Sequence, residues 1–592
     1  MFWGYNWKSE EGRRELLLLG ILLFVTAAVY APSLNYAMLD NWDDNSLLFN
    51  RDHLRPSWGN FLFWWHNSYI DIYHPLTMFS YMFDYACWGL NALGYRIQSL
   101  LWHLAATALA YRCLRLGGIG FWMAWFGAAV FALHPQRVES VAWISERKDV
   151  LCAAFYLWTV YRHLAAREPE KFSWAEWGLM VLALLSKPMA VTLPVVLILL
   201  DLMKRQRWEW RYYCRRYWGM VLTAAVFVAV ASAFQPGPVE KLQSGGRAPA
   251  VVLHSYYWVT TNFVWPTQLN PFYSQVVIGG ALWLKLAVFA VAVIGLGVLL
   301  CRWKRELRYA VPCLALAYVA ALAPVAGVFH PGTIDFADRY SYLPSFFLLL
   351  LILTALQPLL APAAWRRHTA EVIGILYLLL MLTLTCVYLP AWKSYYDMLV
   401  WSVRHDGTHQ MAMVELGLAE QKRRHAEAVT AMIERLEKEA TGEDRIDPSS
   451  GRFYAAFLRA ERAYGRRDFD GAETELLAVY PRLAPKHFYT YNIEVIIYQR
   501  LIGSRLNRGD YVQALGYIDQ LLKWYDKHRK DFFYHYYSAL KAGLHHDWKR
   551  AEEELQRAQE FNFNENKAAL AAEFQQMLRR CAKVELPPEA KK

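Results

Sequence analysis

Charge is scarce in this chain. Of 592 residues only 19% are Asp, Glu, Lys or Arg, while 56% are hydrophobic. A soluble protein of this length buries a large core but keeps a more charged surface. Here the apolar residues gather in long runs, the signature of membrane spans. Cysteine is scarce as well. Cys87, Cys113, Cys152, Cys214, Cys301, Cys313, Cys386 and Cys581 show neither metal-ligand spacing nor a disulfide framework. Most lie in or near apolar segments, where cysteine behaves as a small hydrophobe. There is no N-x-[ST] acceptor, no small-residue cleavage site after the first apolar run, and no inverted repeat of the transporter kind. These absences exclude a disulfide-built secreted domain and count against a transporter, and the spacing points to no metal. The net charge of +11 does not indicate nucleic acid, because much of the excess lies in short loops between apolar runs.

Aromatics are abundant. The 26 Trp and 37 Tyr suit a protein with two membrane–water interfaces to anchor. Apolar runs near 16–30, 95–111, 121–134, 141–161, 174–185, 191–202, 218–234, 282–300, 309–328, 346–360 and 372–389 predict an all-α polytopic protein with about eleven spans. The fifth and sixth runs flank SKPM and are too short to span alone, which predicts tilted or re-entrant segments. With Lys8, Arg13 and Arg14 placed in the cytoplasm, the basic loops at 112–115, 162–171, 204–216, 302–308 and 366–367 all fall on that side.

The opposite, outer face then collects the chemistry. The stretch 133–149, LHPQRVESVAWISERKD, joins two apolar segments and packs His134, Arg137, Glu139, Glu146, Arg147, Lys148 and Asp149 into a short span. Ionisable residues so close to lipid mark a site or pathway. The first outer loop, 33–92, is too long for a plain connector. It carries Asp43 and Asp44, which read either as a catalytic base and its neighbour or as a solvated turn or helix cap. Arg147, Lys148, Lys187 and Arg339 come from separate loops and read as a seat for an anionic lipid head group, against the alternative of interfacial snorkelling. His74, His134 and His330 each precede proline and read more simply as hydrogen-bonded anchors than as metal ligands.

From about Trp401 the chain turns polar with helical periodicity. His425/Ala428, Phe469/Ala472, Tyr511/Ala514 and Trp548/Ala551 repeat an aromatic or His followed three residues later by Ala. The interval is near that of tetratricopeptide helix pairs, and the small Ala allows close helix approach. The expected division is a transmembrane domain over 1–395 and a degenerate tetratricopeptide-like domain over 396–592, outside the membrane on the face of the charge cluster.

The strings WDDNSLLFN, YHPLT, FALHPQRVESVAWISERKDVL, LLSKPMAVTLPVVLILLD, NFVWPTQLNPFY and ADRYSYLPS, in that order across about 30–390, resemble the TMTC-like proteins (transmembrane and tetratricopeptide-repeat-containing), in a form closer to bacterial than to animal members. These belong to the GT-C class of membrane glycosyltransferases. His74 stands in place of the arginine of a YRPLT-type motif. The resemblance implies an inverting transfer of a monosaccharide, mannose foremost, from a polyprenyl-phosphate donor to an acceptor hydroxyl, Ser or Thr of proteins foremost, on the non-cytoplasmic face. It implies Asp43 or Asp44 as the base, without separating them. It makes Arg147, Lys148, Lys187 and Arg339 the phosphate-binding set, with His74, His103, His134, Glu139, Asp149, His330 and Asp338 shaping the site. Phosphate is a good leaving group, so one carboxylate acting on the acceptor suffices, and fixed cations in a dry site meet the developing phosphate charge. The scheme requires no metal or cofactor and no nucleic acid. Its partners are the polyprenyl-phosphate sugar, membrane lipid, and an acceptor protein or glycan held by the repeats. The implied location is a bacterial inner membrane. The competing readings are the same chemistry on a glycan, lipid or cell-wall polymer, and a non-enzymatic membrane scaffold.

Overall fold

A computed structural model describes residues 9–39, 42–49, 51–69, 72–166, 172–234, 247–273, 276, 278–327, 335–360, 364–406, 409–439, 448–479, 488–528, 532–561, 576, 579 and 582–584. Among these the chain is all-α. The nearest approach to a sheet is a single bridge between Tyr69 and Ile72. Two compact units emerge, one of Met1–Leu47 with Asp52–Asp406 and one of Leu48–Arg51 with Gly407–Lys592.

Among the described residues five helical segments, all in the first unit, are long and apolar enough to cross a membrane: Glu10–Asn35, Trp210–Phe234, Gly280–Trp303, Leu307–Val325 and Trp365–Trp392. Gly280–Trp303 leaves Leu284, Val291, Ile294 and Leu299 more than half exposed, as expected of a helix facing lipid. The Ala92–Leu116 helix is buried along most of its length. It packs on Arg147–Ala165, Phe121–Leu133 and Glu10–Tyr30. The approach is close at Gly127, where an added Cβ would stand 2.6 Å from Leu353 Cδ1 and 2.9 Å from Leu114 Cδ1.

Several boundaries differ from the sequence reading. The fourth run does not begin its helix at 141. Val138–Ala142 and Ile144–Glu146 are separate short turns, and the long helix starts at Arg147, so Glu139 and Glu146 lie outside it. Trp174–Ser186 and Leu193–Arg205 are 13 residues each. At 1.5 Å per residue, about 20 Å, each is shorter than a ~30 Å hydrocarbon core. They are joined by Lys187, extended at φ −157°, and a 3-10 turn over Pro188–Thr192, because the residue before proline is driven out of the helical region. The same rule bears on two of the three His-Pro pairs. His134 is extended and His74, at φ −150° and ψ 65°, is likewise outside the helical region, and the proline after each opens a helix or 3-10 turn. His330 lies outside the described residues. The aromatic stretch after the seventh run is itself a helix, Arg247–Val264.

Far from the outer loops, four helix ends meet in an ionic cluster. Arg216 contacts Glu176 at 3.1 Å, and His163 stands 3.4 Å from Glu176 and 3.2 Å from Asp201. Tyr212 and Tyr217 donate to Asp201 at 2.5 Å each.

The second unit is a run of helix hairpins: Gln410–Lys422 with Ala426–Glu439, Pro448–Gly465 with Phe469–Val479, Phe488–Asn507 with Tyr511–His528, and Phe532–Leu544 with Trp548–Phe561. Phe469, Tyr511 and Trp548 each open the second helix of a pair, and Ala472, Ala514 and Ala551 are buried one turn later. The turns repeat as well. Arg424, Arg467, Gly509 and His546 take φ of 63°, 64°, 75° and 58°, each two residues before its second helix. Asp468, Asp510 and Asp547 then cap the helix, accepting from Gly471, Gln513 and Arg550 N–H at 2.9, 3.2 and 3.2 Å.

Candidate functional site

The two adjacent aspartates part company. Asp44 opens the short Asp44–Phe49 helix and is fully buried. Its Oδ2 accepts from Leu39 N–H at 3.0 Å, and its Oδ1 from Ser145 N–H at 2.9 Å and Ser145 Oγ at 2.6 Å. The carboxylate thereby ties the 33–92 segment to the ISERKD segment. The Asp43 carboxylate takes no hydrogen bond or ion-pair contact from the described residues. Its backbone is held instead, by Tyr69 Oη donating to its carbonyl at 3.0 Å. Burial raises the Asp43 carboxyl to about 6, opposed by the fields of Lys148 and then Arg339.

The cations beside it converge on one acid. Glu146 stands 2.6 Å from Lys148, 3.4 Å from Arg339 and 3.7 Å from Lys187. Burial alone would raise the Glu146 carboxyl, but Lys148, Lys187 and Arg339 outweigh it and hold the group at about 2. Each outer partner is paired as well. Lys187 is bonded to Asp149, which also accepts from Ser140 Oγ at 3.0 Å. Arg339 reaches Glu139 at 2.5 Å through its guanidinium and 2.9 Å through its N–H. Lys148 and Arg339 both lie over the Trp143 ring, at 5.8 and 5.6 Å. Three cations thus face three carboxylates in a nearly dry cluster. Glu146, the acid on which the cations converge, heads the ERKD string but is not in the candidate set drawn from sequence.

Arg147 is corrected out of that cluster. As the first residue of its helix it turns the other way, onto Asp84 at 2.5 Å with both side chains fully buried. It also donates to Gln98 Oε1 and Tyr95 O at 2.7 Å each. A guanidinium so engaged is a staple, with little left for a phosphate. Three further candidates have structural partners. His103 bridges Tyr342 Oη at 2.6 Å and the Ala132 carbonyl at 3.1 Å. Because its Nε2 faces a carbonyl it must donate there, so its Nδ1 accepts from the tyrosine. His134 bonds the Phe263 carbonyl at 3.0 Å and stacks on that ring. Asp338 accepts from Tyr273 Oη at 3.0 Å and Tyr388 Oη at 3.4 Å. His74 differs from these. It is buried and neither ring nitrogen has a partner among the described residues.

Among the described residues no group of His, Cys, Asp or Glu is arranged to hold a metal ion. What the cluster offers is a half-buried carboxylate that can take a proton near neutral pH, next to lysine and arginine side chains over an indole. That pairing suits removal of a proton from a hydroxyl beside a departing anion.

The sequence has counterparts among known proteins. Over 343 residues, 54% of this chain, it is 24% identical to the protein O-mannosyl-transferase F38B6.6 of Caenorhabditis elegans. Over 122 residues, 20% of the chain, it is 32% identical to the protein O-mannosyl-transferase TMTC2 of Mus musculus, and over 141 residues it is 32% identical to Tmtc2 of Drosophila melanogaster. The chain is similar in sequence to proteins named as protein O-mannosyl-transferases, the TMTC2 proteins of mouse and fly among them. The matched regions cover 47% of the worm protein, 14% of the mouse protein and 15% of the fly protein, so the chain spans less than half the length of these relatives. No family model matches the chain, and no solved structure matches it.

Proposed function

We propose that this chain is a membrane glycosyltransferase that moves a monosaccharide, mannose foremost, from a polyprenyl-phosphate donor to a hydroxyl of Ser or Thr in an acceptor protein. The observation that carries this reading is the division of labour at 43–44. Asp44 is consumed in holding the loop, whereas the Asp43 carboxylate has no partner among the described residues, is raised towards neutrality and lies in the fields of Lys148 and Arg339. In this reading Asp43 takes the proton of the acceptor hydroxyl as its oxygen attacks the anomeric carbon. The C–O bond to phosphate breaks, and the configuration inverts. Lys148, Lys187 and Arg339 receive the phosphate, with Glu146 yielding its place among them. Glu139 and Asp149 hold Arg339 and Lys187 in position. The polyprenyl tail lies among the apolar helices, and the hairpin repeats present the acceptor. The outer face of a bacterial inner membrane is the expected setting.

The test is transfer in native-like membranes supplied with labelled polyprenyl-phosphate mannose. Label reaching protein with wild type and not with Asp43→Asn supports the proposal. Unchanged transfer by a folded Asp43→Asn variant removes Asp43 as the base. Binding of no polyprenyl-phosphate sugar at all favours a membrane scaffold instead.

A further inference from the structure

Buried polar atoms are almost always hydrogen-bonded, and exceptions need a reason. Around the outer cluster the exceptions gather. His74 Nδ1, His74 Nε2, Trp143 Nε1 and Trp42 Nε1 are all buried without a partner among the described residues. They share one neighbourhood. Trp42 precedes Asp43 in the chain, and its ring lies 6.1 Å from that of Trp143, over which Lys148 and Arg339 sit. The His74 ring meets Tyr69 edge-on at 5.8 Å, and it is Tyr69 whose hydroxyl holds the Asp43 carbonyl. The fields of Lys148, Glu146 and Lys187 and the Ile72 backbone all act on His74, and no group among the described residues makes a hydrogen bond to either ring nitrogen. On its other side, Thr77 of the helix that His74 precedes donates to the Ser186 carbonyl at 2.9 Å, one residue before Lys187. His74 is therefore fixed between the loop that carries Asp43 and the loop that carries Lys187.

The protonation state of His74 decides what it can recognise. Burial, seconded by the field of Lys148, pushes it down to about 3, so it is neutral at physiological pH. A neutral imidazole offers one N–H donor and one lone pair. It is poorly matched to a phosphate, which only accepts, and the cations beside it already meet an anion. It is matched to a hydroxyl, which donates and accepts. The indole N–H groups of Trp42 and Trp143 add two further donors without a partner among the described residues.

We infer that His74 is a recognition residue of the transfer site, hydrogen-bonding a hydroxyl of the bound substrate next to Asp43. This rests on the glycosyltransferase reading and goes beyond it by assigning hydroxyl recognition to a neutral side chain separate from the phosphate cations. The hydroxyl belongs either to the transferred sugar or to the acceptor.

The experiment uses the full chain in lipid nanodiscs, with polyprenyl-phosphate mannose and a set of singly deoxygenated mannose donors. Wild type is compared with His74→Phe, which keeps the ring's bulk, and His74→Asn, which keeps a donor and an acceptor; melting temperatures establish that each is folded. If the sugar supplies the hydroxyl, His74→Phe binds the intact donor about ten- to a hundredfold more weakly. One deoxy donor shows the same loss on wild type and no further loss on the variant, and His74→Asn recovers part of the affinity. If the acceptor supplies it, donor Kd is unchanged and acceptor KM rises by a similar factor. A folded His74→Phe variant with unchanged donor Kd and acceptor KM overturns the inference while leaving the glycosyltransferase reading in place. So does an equal loss against every deoxy donor. Wild type that binds no polyprenyl-phosphate sugar overturns both.

Discussion

At Asp44 three donors converge on one carboxylate, while at Asp43, one residue earlier, none of the described residues supplies one. The pair therefore separates in experiment. Asp44→Ala strands the N–H of Leu39 and both donors of Ser145, and should lower stability by on the order of 3 kcal/mol, read as a fall in melting temperature. Asp43→Asn should leave melting no lower than wild type at neutral pH and abolish transfer. The pH profile carries the same assignment. A base has to be deprotonated, and burial raises Asp43 to about 6. Transfer should thus be low at pH 5, where roughly a tenth of the group is ionised, and approach its plateau above pH 7. The sign is opposite for stability. A carboxyl raised in the folded state holds its proton better than in the unfolded chain, so between the ordinary carboxylate value and about 6 its contribution to stability falls as pH rises. A flat activity profile from pH 5 to 8 would contradict the role given to Asp43.

At the scale of elements, two devices can be tested without touching the chemistry. Arg147 and Asp84 staple the start of the Arg147–Ala165 helix to Pro75–Trp88 in a fully buried pair. Removing one partner leaves an uncompensated buried charge, so Arg147→Met should cost about 3–5 kcal/mol, whereas replacing both partners with apolar residues should cost much less. A double-mutant cycle on thermal unfolding distinguishes this from the phosphate-binding role read from sequence, which predicts a binding defect in a normally stable protein. In the hairpin turns, Arg467 and His546 occupy the left-handed position that Gly509 fills in the third pair. Glycine reaches that conformation without Cβ crowding. Arg467→Gly should raise stability by up to about 1 kcal/mol, measured by chemical unfolding of the full chain, whereas His546→Gly should gain less because it also removes the hydrogen bond from His546 to the Val584 carbonyl.

For the whole molecule the division into two units sets the decisive deletion. A chain ending at Asp406, where the first unit closes, should still bind donor and fail to transfer to protein. A scaffold predicts that this deletion removes all function while Asp43→Asn changes none. The far-end cluster of His163, Glu176, Asp201 and Arg216 joins four helices away from the outer loops. It gives the first unit an ionic clasp opposite the end where the chemistry is proposed.

The class of the molecule was legible from composition and periodicity, because long apolar runs and recurring Ala positions report local burial whatever the tertiary arrangement. The all-α character, the spanning helices and the hairpin repeats followed from that. The outer charge cluster was legible as a collection of residues, since ERKD, SKPM and ADRY sit at the ends of apolar runs. Their roles were not. Arg147 and Lys148 are adjacent in the chain, yet the turn into a helix at 147 sends one to Asp84 and the other to Glu146. Asp43 and Asp44 are adjacent too, and the approach of Ser145, 101 residues away, engages Asp44 while none of the described residues engages the Asp43 carboxylate. Sequence alone determined which elements form and which end of the bundle gathers the charges, because those depend on local pattern and solvent. Tertiary structure alone decided which charges are already paired, because pairing depends on contacts between loops that the chain brings together only when folded.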